Sequence, residues 1–234
     1  MDTVRLHFPT IDSTNDYAKQ HADEFDRSCL TVISSDEQTR GRGRECRTWE
    51  SPRGLNVYVT FCCFVSQNFS KVHNFAQFLS FICCEALSQL QIESQLKWPN
   101  DVLIDEKKVA GVLCELSSEL VINGIGLNVN MDEEELKKIP GNPTSLFCET
   151  NRKFEISELT KLLIQTYRIH LDEFLRCGFA PFLDRYRSAL SHKAQDLIYF
   201  HVDGELEQGQ FHSISDNGSL NLVLESGEVK NFLS

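Results

Sequence analysis

An α/β domain followed by a small all-β module is the fold class the sequence predicts, and three observations carry it. Up to about residue 190, apolar β-rich runs alternate with helix-like stretches. A long amphipathic segment and a shorter one close that region. After Lys193 the pattern changes to short alternating runs set apart by turn dipeptides. About forty residues are too few for an independent core, so the module is expected to rest on the larger domain. The boundary is placed so that the units are 1–189 and 190–234.

Taken in order, "DSTNDYAKQHADEF" opens like a helix, with Ser13 as its N-cap and Asp16 three residues on. "LTVISS" (30–35) and "LNVYVTFCCFV" (55–65) are β-rich, and the polar segment between them is a long loop. "HNFAQFLSFICCEALSQLQ" is apolar nearly all round, as a buried helix is. "VAGVLCELS" and "ELVINGIGLNVN" are two strands joined tightly around residues 117–119. "EISELTKLLIQTYRIHLDEFLRCG" is an amphipathic helix stopped by Gly178, and "APFLDRYRSAL" a shorter one with Pro181 near its start. The module consists of "LIYFHV", "ELEQGQFHSI", "SLNLVL" and "EVKNFL", separated by "DG", "DNG" and "SG".

Composition sets limits on function. A chain of 234 residues with 41% hydrophobic and 24% charged residues is that of a soluble globular protein. Its net charge of −11 argues against general nucleic-acid binding, while leaving room for a local anion site. The start, "MDTVRLHFPT", lacks the features of a signal peptide. The most apolar window, "FLSFICCEAL", contains Glu85 and is too short to span a bilayer. The nine cysteines include no CxxC. They are expected to be buried, reduced thiols in a cytoplasmic protein with no metal site, and Cys62 and Cys63 on one strand should face opposite ways.

Positive charge is concentrated in one place. Between Gln38 and Gly54 lie five arginines and two glutamates, a local balance of 5 − 2 = +3. Arginines interleaved with Gly41 and Gly43 combine planar cationic forks with a pliable backbone, suited to a carboxylate or phosphate. A solvated loop without a ligand and an RGG-like RNA arm are the alternatives at this point.

Further on, "LKWPNDVLIDEKKVAGVLCE" places Asn100-Asp101 where a turn is expected, and Pro99 biases Trp98 toward extended backbone. Gly111 shares a strand face with Val109 and Leu113. On the next strand Gly124, Gly126, Asn128 and Asn130 share one face, opposite Ile125, Leu127 and Val129. Gly111, Gly124 and Gly126 would leave a sheet surface with room for something flat, a ligand or a packed segment of the protein itself. Lys107 and Lys108 enter at its edge, either as a solvated turn or aimed at that floor.

These motifs together resemble the biotin protein ligases. "STN" (13–15), "QTRGRGRECRTW" (38–49), "KWPND" (97–101), "KKVAGVL" (107–113) and "GIGLNVN" (124–130) stand in that family's order, and the resemblance continues into the C-terminal β unit. It implies a mixed sheet flanked by helices, like that of class II aminoacyl-tRNA synthetases, plus a small C-terminal SH3-like β-barrel. The implied activity joins biotin and ATP, with Mg²⁺, into biotinyl-5′-AMP. Biotin then passes to one lysine of a biotin carboxyl-carrier protein, that of acetyl-CoA carboxylase. Carried over by motif, Ser13, Thr14, Asn15, Gln38, Gly41, Arg42, Gly43 and Arg44 would contact or enclose biotin, with Gly111, Gly124 and Gly126 beneath it. Lys108 would bridge its carboxylate and the phosphate. Arg44, Arg47, Trp49, Asn100 and Asn128 would serve the nucleotide, and Lys108, Arg44 and Asp101 the chemistry.

Two residues depart from the family's usual pattern. Glu45 stands where an arginine is common and Cys46 where a glycine is, so the loop should be less positive, less pliable and looser in retaining the intermediate. Ser13 opens the catalytic region almost at once, which suggests a ligase without the helix-turn-helix of repressor members, binding neither DNA, RNA nor membrane. Family members are monomers or homodimers. A lipoate ligase or octanoyl transferase, and a non-enzymatic nucleotide- or RNA-binding module, are the rival readings.

Overall fold

The computed structural model describes residues 1–234 apart from 46, 67, 68, 70, 203, 204 and 234. In chain order the elements are β1 (Asp2–Phe8), α1 (Thr14–Gln20), β2 (Cys29–Ser35), β3 (Asn56–Phe64) and α2 (Asn74–Ser88). β4 (Gln95–Lys97), β5 (Asp101–Ile104), β6 (Lys107–Ser117) and β7 (Leu120–Asn128) follow. Then come α3 (Glu133–Leu136), α4 (Leu146–Thr150), α5 (Ile156–Cys177) and α6 (Leu183–Ala189). The chain ends with β8 (Leu197–Val202), β9 (Glu205–Ile214), β10 (Leu220–Val223) and β11 (Val229–Phe232).

The first seven strands form one mixed sheet in the order β1-β2-β3-β7-β6-β5-β4, with β1 parallel to β2 and the remaining neighbours antiparallel. One face is solid. Val59 and Phe61 of β3, Ala110 and Val112 of β6, and Ile125 and Leu127 of β7 share an apolar core with α2 and α5. Phe61 stacks on Tyr167 with ring centroids 4.0 Å apart, and Phe78 stacks on Phe174 at 4.2 Å. Each such side chain, fully buried, contributes about 1.5–3 kcal/mol. On the other face an apolar cluster forms at one end, where Ala18 of α1 meets Ile33, Cys62, Leu120 and Ile122.

The last four strands form a separate antiparallel sheet in the order β11-β10-β9-β8, whose buried Ile214, Leu220, Leu222 and Phe232 join the main core. The turn before β10 docks on the larger sheet's helices: Trp98 Nε1 and Gln77 Nε2 donate to the Gly218 carbonyl at 3.2 and 2.6 Å, and Asn74 Nδ2 to that of Asn217 at 2.8 Å. A mixed sheet flanked by helices with a small C-terminal β unit is the architecture expected from the sequence.

Several particulars differ from the sequence reading. β1 is a strand, although its segment carried no strand expectation; Val4, Leu6 and Phe8 alternate along it. The helix at Ser13 is shorter than expected, ending at Gln20 before a 3₁₀ turn at Ala22–Glu24. Asp101 begins β5 instead of lying in the turn, which occupies residues 98–100 around a cis Trp98–Pro99 bond. Asp105 and Glu106, both at positive φ, make the tight turn into β6. Cys62 and Cys63 do point to opposite faces, one in each apolar cluster. The eight described cysteines are free thiols, but only Cys62, Cys63, Cys83 and Cys84 are buried, and Cys177 at the end of α5 is exposed. Burial pushes the Cys63 thiol up to about 12, so it stays protonated and inert.

Candidate active site

Register builds the site. β6 and β7 pair so that Gly111 lies directly opposite Gly126, and Leu113 opposite Gly124. The three glycines therefore share the uncovered face, which also carries Thr60 through the pairing of Thr60 with Gly124 across β3 and β7. A cavity of about 1150 Å³ opens above it, walled by the start of α1, the arginine loop, the β4–β5 turn and residues 139–143. Tyr199 and Leu206 of the C-terminal sheet, and Leu233 just after it, border its rim. Of the residues assigned to biotin, the nucleotide or the chemistry from the motifs, Gly41 alone does not border this space; it is buried beneath the loop, where an added side chain would meet the Trp49 carbonyl and Ser51.

The floor itself is not bare. The Trp49 indole lies on Gly126 and reaches Gly111, where an added Cβ would stand 3.0 Å from Cζ3 of the indole and 3.0 Å from Lys108 Cε. Asn15 lies on Gly124. The flat object that the glycines accommodate is, in this structure, the protein's own tryptophan. Its Nε1 is buried and has no hydrogen-bond partner among the described residues, and neither does Oδ1 of Asn128 nearby. An orphaned donor and an orphaned acceptor in one cavity are each costly, by about 1–3 kcal/mol, and point to an absent polar partner.

At one end of the floor, hydrogen bonds lock the "STN" residues to the sheet. Ser13 caps α1 by accepting from the Asp16 amide. Thr14 donates through its amide and hydroxyl to Gln38 Oε1 at 2.9 and 3.1 Å, and Gln38 Nε2 donates to Ser51 at 3.0 Å. The fully buried Thr60 hydroxyl lies 2.8 Å from Thr14 Oγ1 and 2.7 Å from Asn15 Oδ1. Thr60 and Ser51 are thus parts of the site that motif reading missed. The one available signal was a polar residue at position 60 between Val59 and Phe61 in a buried strand.

At the other end stand the cations. Lys108 Nζ pairs with Asp101 Oδ1 at 2.7 Å and lies 5.5 Å from the Trp49 ring centre. Its backbone is clamped by residues 142–144: its amide donates to the Asn142 carbonyl and its carbonyl accepts from the Thr144 amide, both at 2.8 Å. Lys107 points away, to Glu149 at 2.7 Å. Asn100 bridges to β6, giving its Nδ2 to the Val112 carbonyl at 2.6 Å, while Arg44 Nη1 reaches Asn100 Oδ1 at 3.5 Å. Asn128 Nδ2 donates to the Thr144 carbonyl at 2.9 Å.

The loop's charge is less available than its arginine count suggests. Arg40 pairs with Asp12, Arg42 with both Asp16 and Glu115, and Arg47 with Glu45 at 2.8 Å. Glu45 thus occupies Arg47, one of the residues expected to serve a nucleotide; Cys46 lies outside the described residues. Partial burial works against the charge of Arg42, yet the hydrogen bond and charge of Glu115, with the charge of Asp16, outweigh it and hold its pKa above the usual value. Arg44, whose hydrogen-bond partner is a neutral amide, also faces the cavity, as do Lys97 and Lys108, the latter paired with Asp101.

The sequence model of the Biotin/lipoate A/B protein ligase family matches residues 7–132, more than half the chain and the whole of the site's floor. The chain belongs to that family. Among curated relatives, the bifunctional ligase/repressor BirA of Escherichia coli (strain K12) is 28% identical over 184 residues, covering 76% of this chain and 56% of that protein. The biotin–[acetyl-CoA-carboxylase] ligase of Paracoccus denitrificans is 29% identical over 222 residues, covering 89% of this chain and 90% of that one. Against BirA proteins the chain spans about half to three-fifths of the relative's length, from 49% to 62%. Among solved structures, biotin protein ligase from Aquifex aeolicus in complex with biotin and ATP superposes with a TM-score of 0.82. It is 30% identical and covers 100% of this chain and 96% of that one. Among the described residues, no helix is long and apolar enough to cross a membrane.

Proposed function

We propose that this chain is a biotin protein ligase: it adenylates biotin with ATP and transfers the biotinyl group to a lysine of a biotin carboxyl-carrier protein, that of acetyl-CoA carboxylase. One observation carries the reading. A single cavity joins a side-chain-poor strip of sheet to cations, Arg44 and Lys108 among them, and holds two buried polar atoms without a partner among the described residues, Trp49 Nε1 and Asn128 Oδ1. The names of the Paracoccus denitrificans relative and of the Aquifex aeolicus structure favour biotin over lipoate within the family. Free thiols suit a reducing compartment, and the cytoplasm is the proposed location.

In the first step a biotin carboxylate oxygen bonds to the α-phosphorus of ATP, the bond to the bridging oxygen breaks, and pyrophosphate leaves. Two anions must meet. At about 4 Å, unit charges repel by roughly 1 kcal/mol in water and about 4 kcal/mol at an effective dielectric near 20. Lys108 and Arg44 offset that repulsion and the charge that develops at phosphorus. ATP enters as its Mg²⁺ complex, with the ion carried on the phosphates. No base is needed, because a carboxylic acid is already ionised at neutral pH.

In the second step the acceptor amine attacks the acyl carbon, AMP leaves, and the amine gives up a proton. Asp101 is assigned the task of aiming Lys108, whose Nζ it holds at 2.7 Å. Ser13, Thr14, Asn15 and Gln38 are assigned to biotin's polar ring, and Asn100, Asn128 and Trp49 to the nucleotide. The arginine loop, closed over the site, keeps water from the mixed anhydride.

The test uses purified protein with ATP, Mg²⁺ and either biotin or lipoate, plus a carrier domain. Pyrophosphate release and a carrier mass gain that depend on biotin are the expected outcome. Turnover with lipoate alone, or none with either acid, would defeat the proposal.

A further inference from the structure

Arg42 was expected to meet a ligand anion, yet its Nη2 lies 2.7 Å from Asp16 Oδ1 and 2.7 Å from Glu115 Oε2. These carboxylates come from two rigid elements, the first turn of α1 and the far half of β6. Glu115 does more: its Oε2 accepts from Asn15 Nδ2 at 3.0 Å, and Oε1 lies 4.0 Å from Lys19 Nζ. Asn15 in turn covers Gly124 and contacts Thr60. One guanidinium therefore ties the arginine loop to the wall and floor of the cavity together.

The charges also need explaining. Two carboxylates beside a site built for anions would repel its ligand unless a cation held them. With Arg42 and Lys19 beside Asp16 and Glu115 the four charges sum to zero, so the group as a whole offers no net attraction toward a bound acid. The contribution of Arg42 is mechanical. Most other hydrogen bonds of the loop tip are internal, such as Gly43 amide to Arg47 carbonyl at 2.7 Å and Trp49 amide to Gly41 carbonyl at 2.9 Å, and these shape the loop without anchoring it.

We infer that Asp16 and Glu115 form a two-carboxylate latch on Arg42 that fixes the closed position of the arginine loop, making both positioning residues for retention of the acyl-adenylate. The retention half of this inference rests on the ligase reading; the latch itself does not. Losing one arm should let the loop open while Lys108 and Arg44 keep the electrostatics of adenylation. An electrostatic role for Arg42 predicts the opposite, since freeing it from Glu115 would strengthen acid binding.

Glu115→Gln, Asp16→Asn and Glu115→Asp, made in the full chain and checked for folding by circular dichroism, separate these outcomes. Without any ligand, trypsin should cut after residues 40–47 roughly tenfold faster in Glu115→Gln and Asp16→Asn, the order expected from one lost charge-assisted hydrogen bond. Glu115→Asp should recover part of the protection. With biotin and ATP, the half-life of bound biotinyl-AMP should fall by about tenfold, while single-turnover adenylation stays within about twofold of wild type. Unchanged loop cleavage in both Glu115→Gln and Asp16→Asn, or tighter biotin binding in Glu115→Gln, overturns the latch. Absence of biotin-dependent pyrophosphate exchange in the wild type overturns the ligase reading instead, and the ligand-free cleavage still decides the latch.

Discussion

The two faces of the seven-stranded sheet follow opposite rules on the same strands. On the helix side, Val112, Ile125 and Phe61 interlock with α2 and α5, and the positions are filled. One residue along, the opposite face carries Gly111, Gly124, Gly126 and Thr60, and its cover is α1 at one end and a polar loop at the other. Each interior glycine gives up roughly 0.5–1 kcal/mol of strand stability relative to alanine. The contrast teaches that the strands are stabilised from one side so that the other can stay thin. A side-chain-poor face is tolerable only because its reverse is densely packed.

Mutations on the two faces should therefore fail in different assays. Phe174 is fully buried and packs on Phe75, Phe78 and Phe182. Phe174→Ala should cost about 3–5 kcal/mol in urea unfolding, the usual toll for emptying an aromatic core site. The fraction that remains folded should still bind biotin. A loss below about 1 kcal/mol would mean that the helix face is not the stabilising one. Lys108→Ala should do the reverse: adenylate formation falls by about 10²–10³-fold, the scale of one electrostatic contact, with the urea midpoint near wild type. Near-normal single-turnover adenylation in that variant would remove Lys108 from the chemistry.

A matched pair sharpens the comparison, because similar small groups can be added on each side. Ala110 is fully buried against the helices, and Ala110→Val should cost about 1–3 kcal/mol through overpacking. Gly126→Ala puts a methyl group into the Trp49 indole, which is held by a loop and can shift. Its unfolding free energy should stay within about 1 kcal/mol of wild type, because alanine suits a strand better than glycine. Equal losses for the two would show that the glycine face is as tightly packed as its reverse.

Much of this asymmetry was legible in the sequence. Alternation alone puts Gly124, Gly126 and Asn128 on one side of β7 and Ile125 and Leu127 on the other, because side chains on a strand alternate strictly. The "STN", "KWPND" and arginine motifs identified the walls. Charge pairing escaped, because Arg42 finds Asp16 and Glu115 at 26 and 73 residues' separation, and only the assembled sheet makes them neighbours. Glu115 was within reach of the same parity argument, since it shares a face with Gly111 and Leu113, but nothing in its local sequence names its partner. β1 went unread although Val4, Leu6 and Phe8 alternate, its edge position leaving Val4 exposed and the signal weak. The occupant of the glycine floor could not be read at all, because a loop residue reaches it only through tertiary folding.

The smallest effect bears on that occupant. Trp49 and Trp98 are the two tryptophans of the chain. Trp98 is buried between the sheets, its Nε1 donating to the Gly218 carbonyl at 3.2 Å. Trp98→Phe would leave Trp49 as the single indole reporter. In the free protein this half-buried indole rests on Gly126 and Gly111 with its N–H shielded, so its emission should lie to shorter wavelength than that of a fully solvated tryptophan. If the glycine strip is a ligand seat held by a movable stand-in, biotin alone must lift the indole off, and the emission should shift to longer wavelength as the N–H meets water. Gly126→Ala should produce part of that shift before any ligand is added. An emission maximum that stays fixed while calorimetry records biotin binding would mean that the indole is a permanent floor. The thin face would then be thin for packing, not for a ligand.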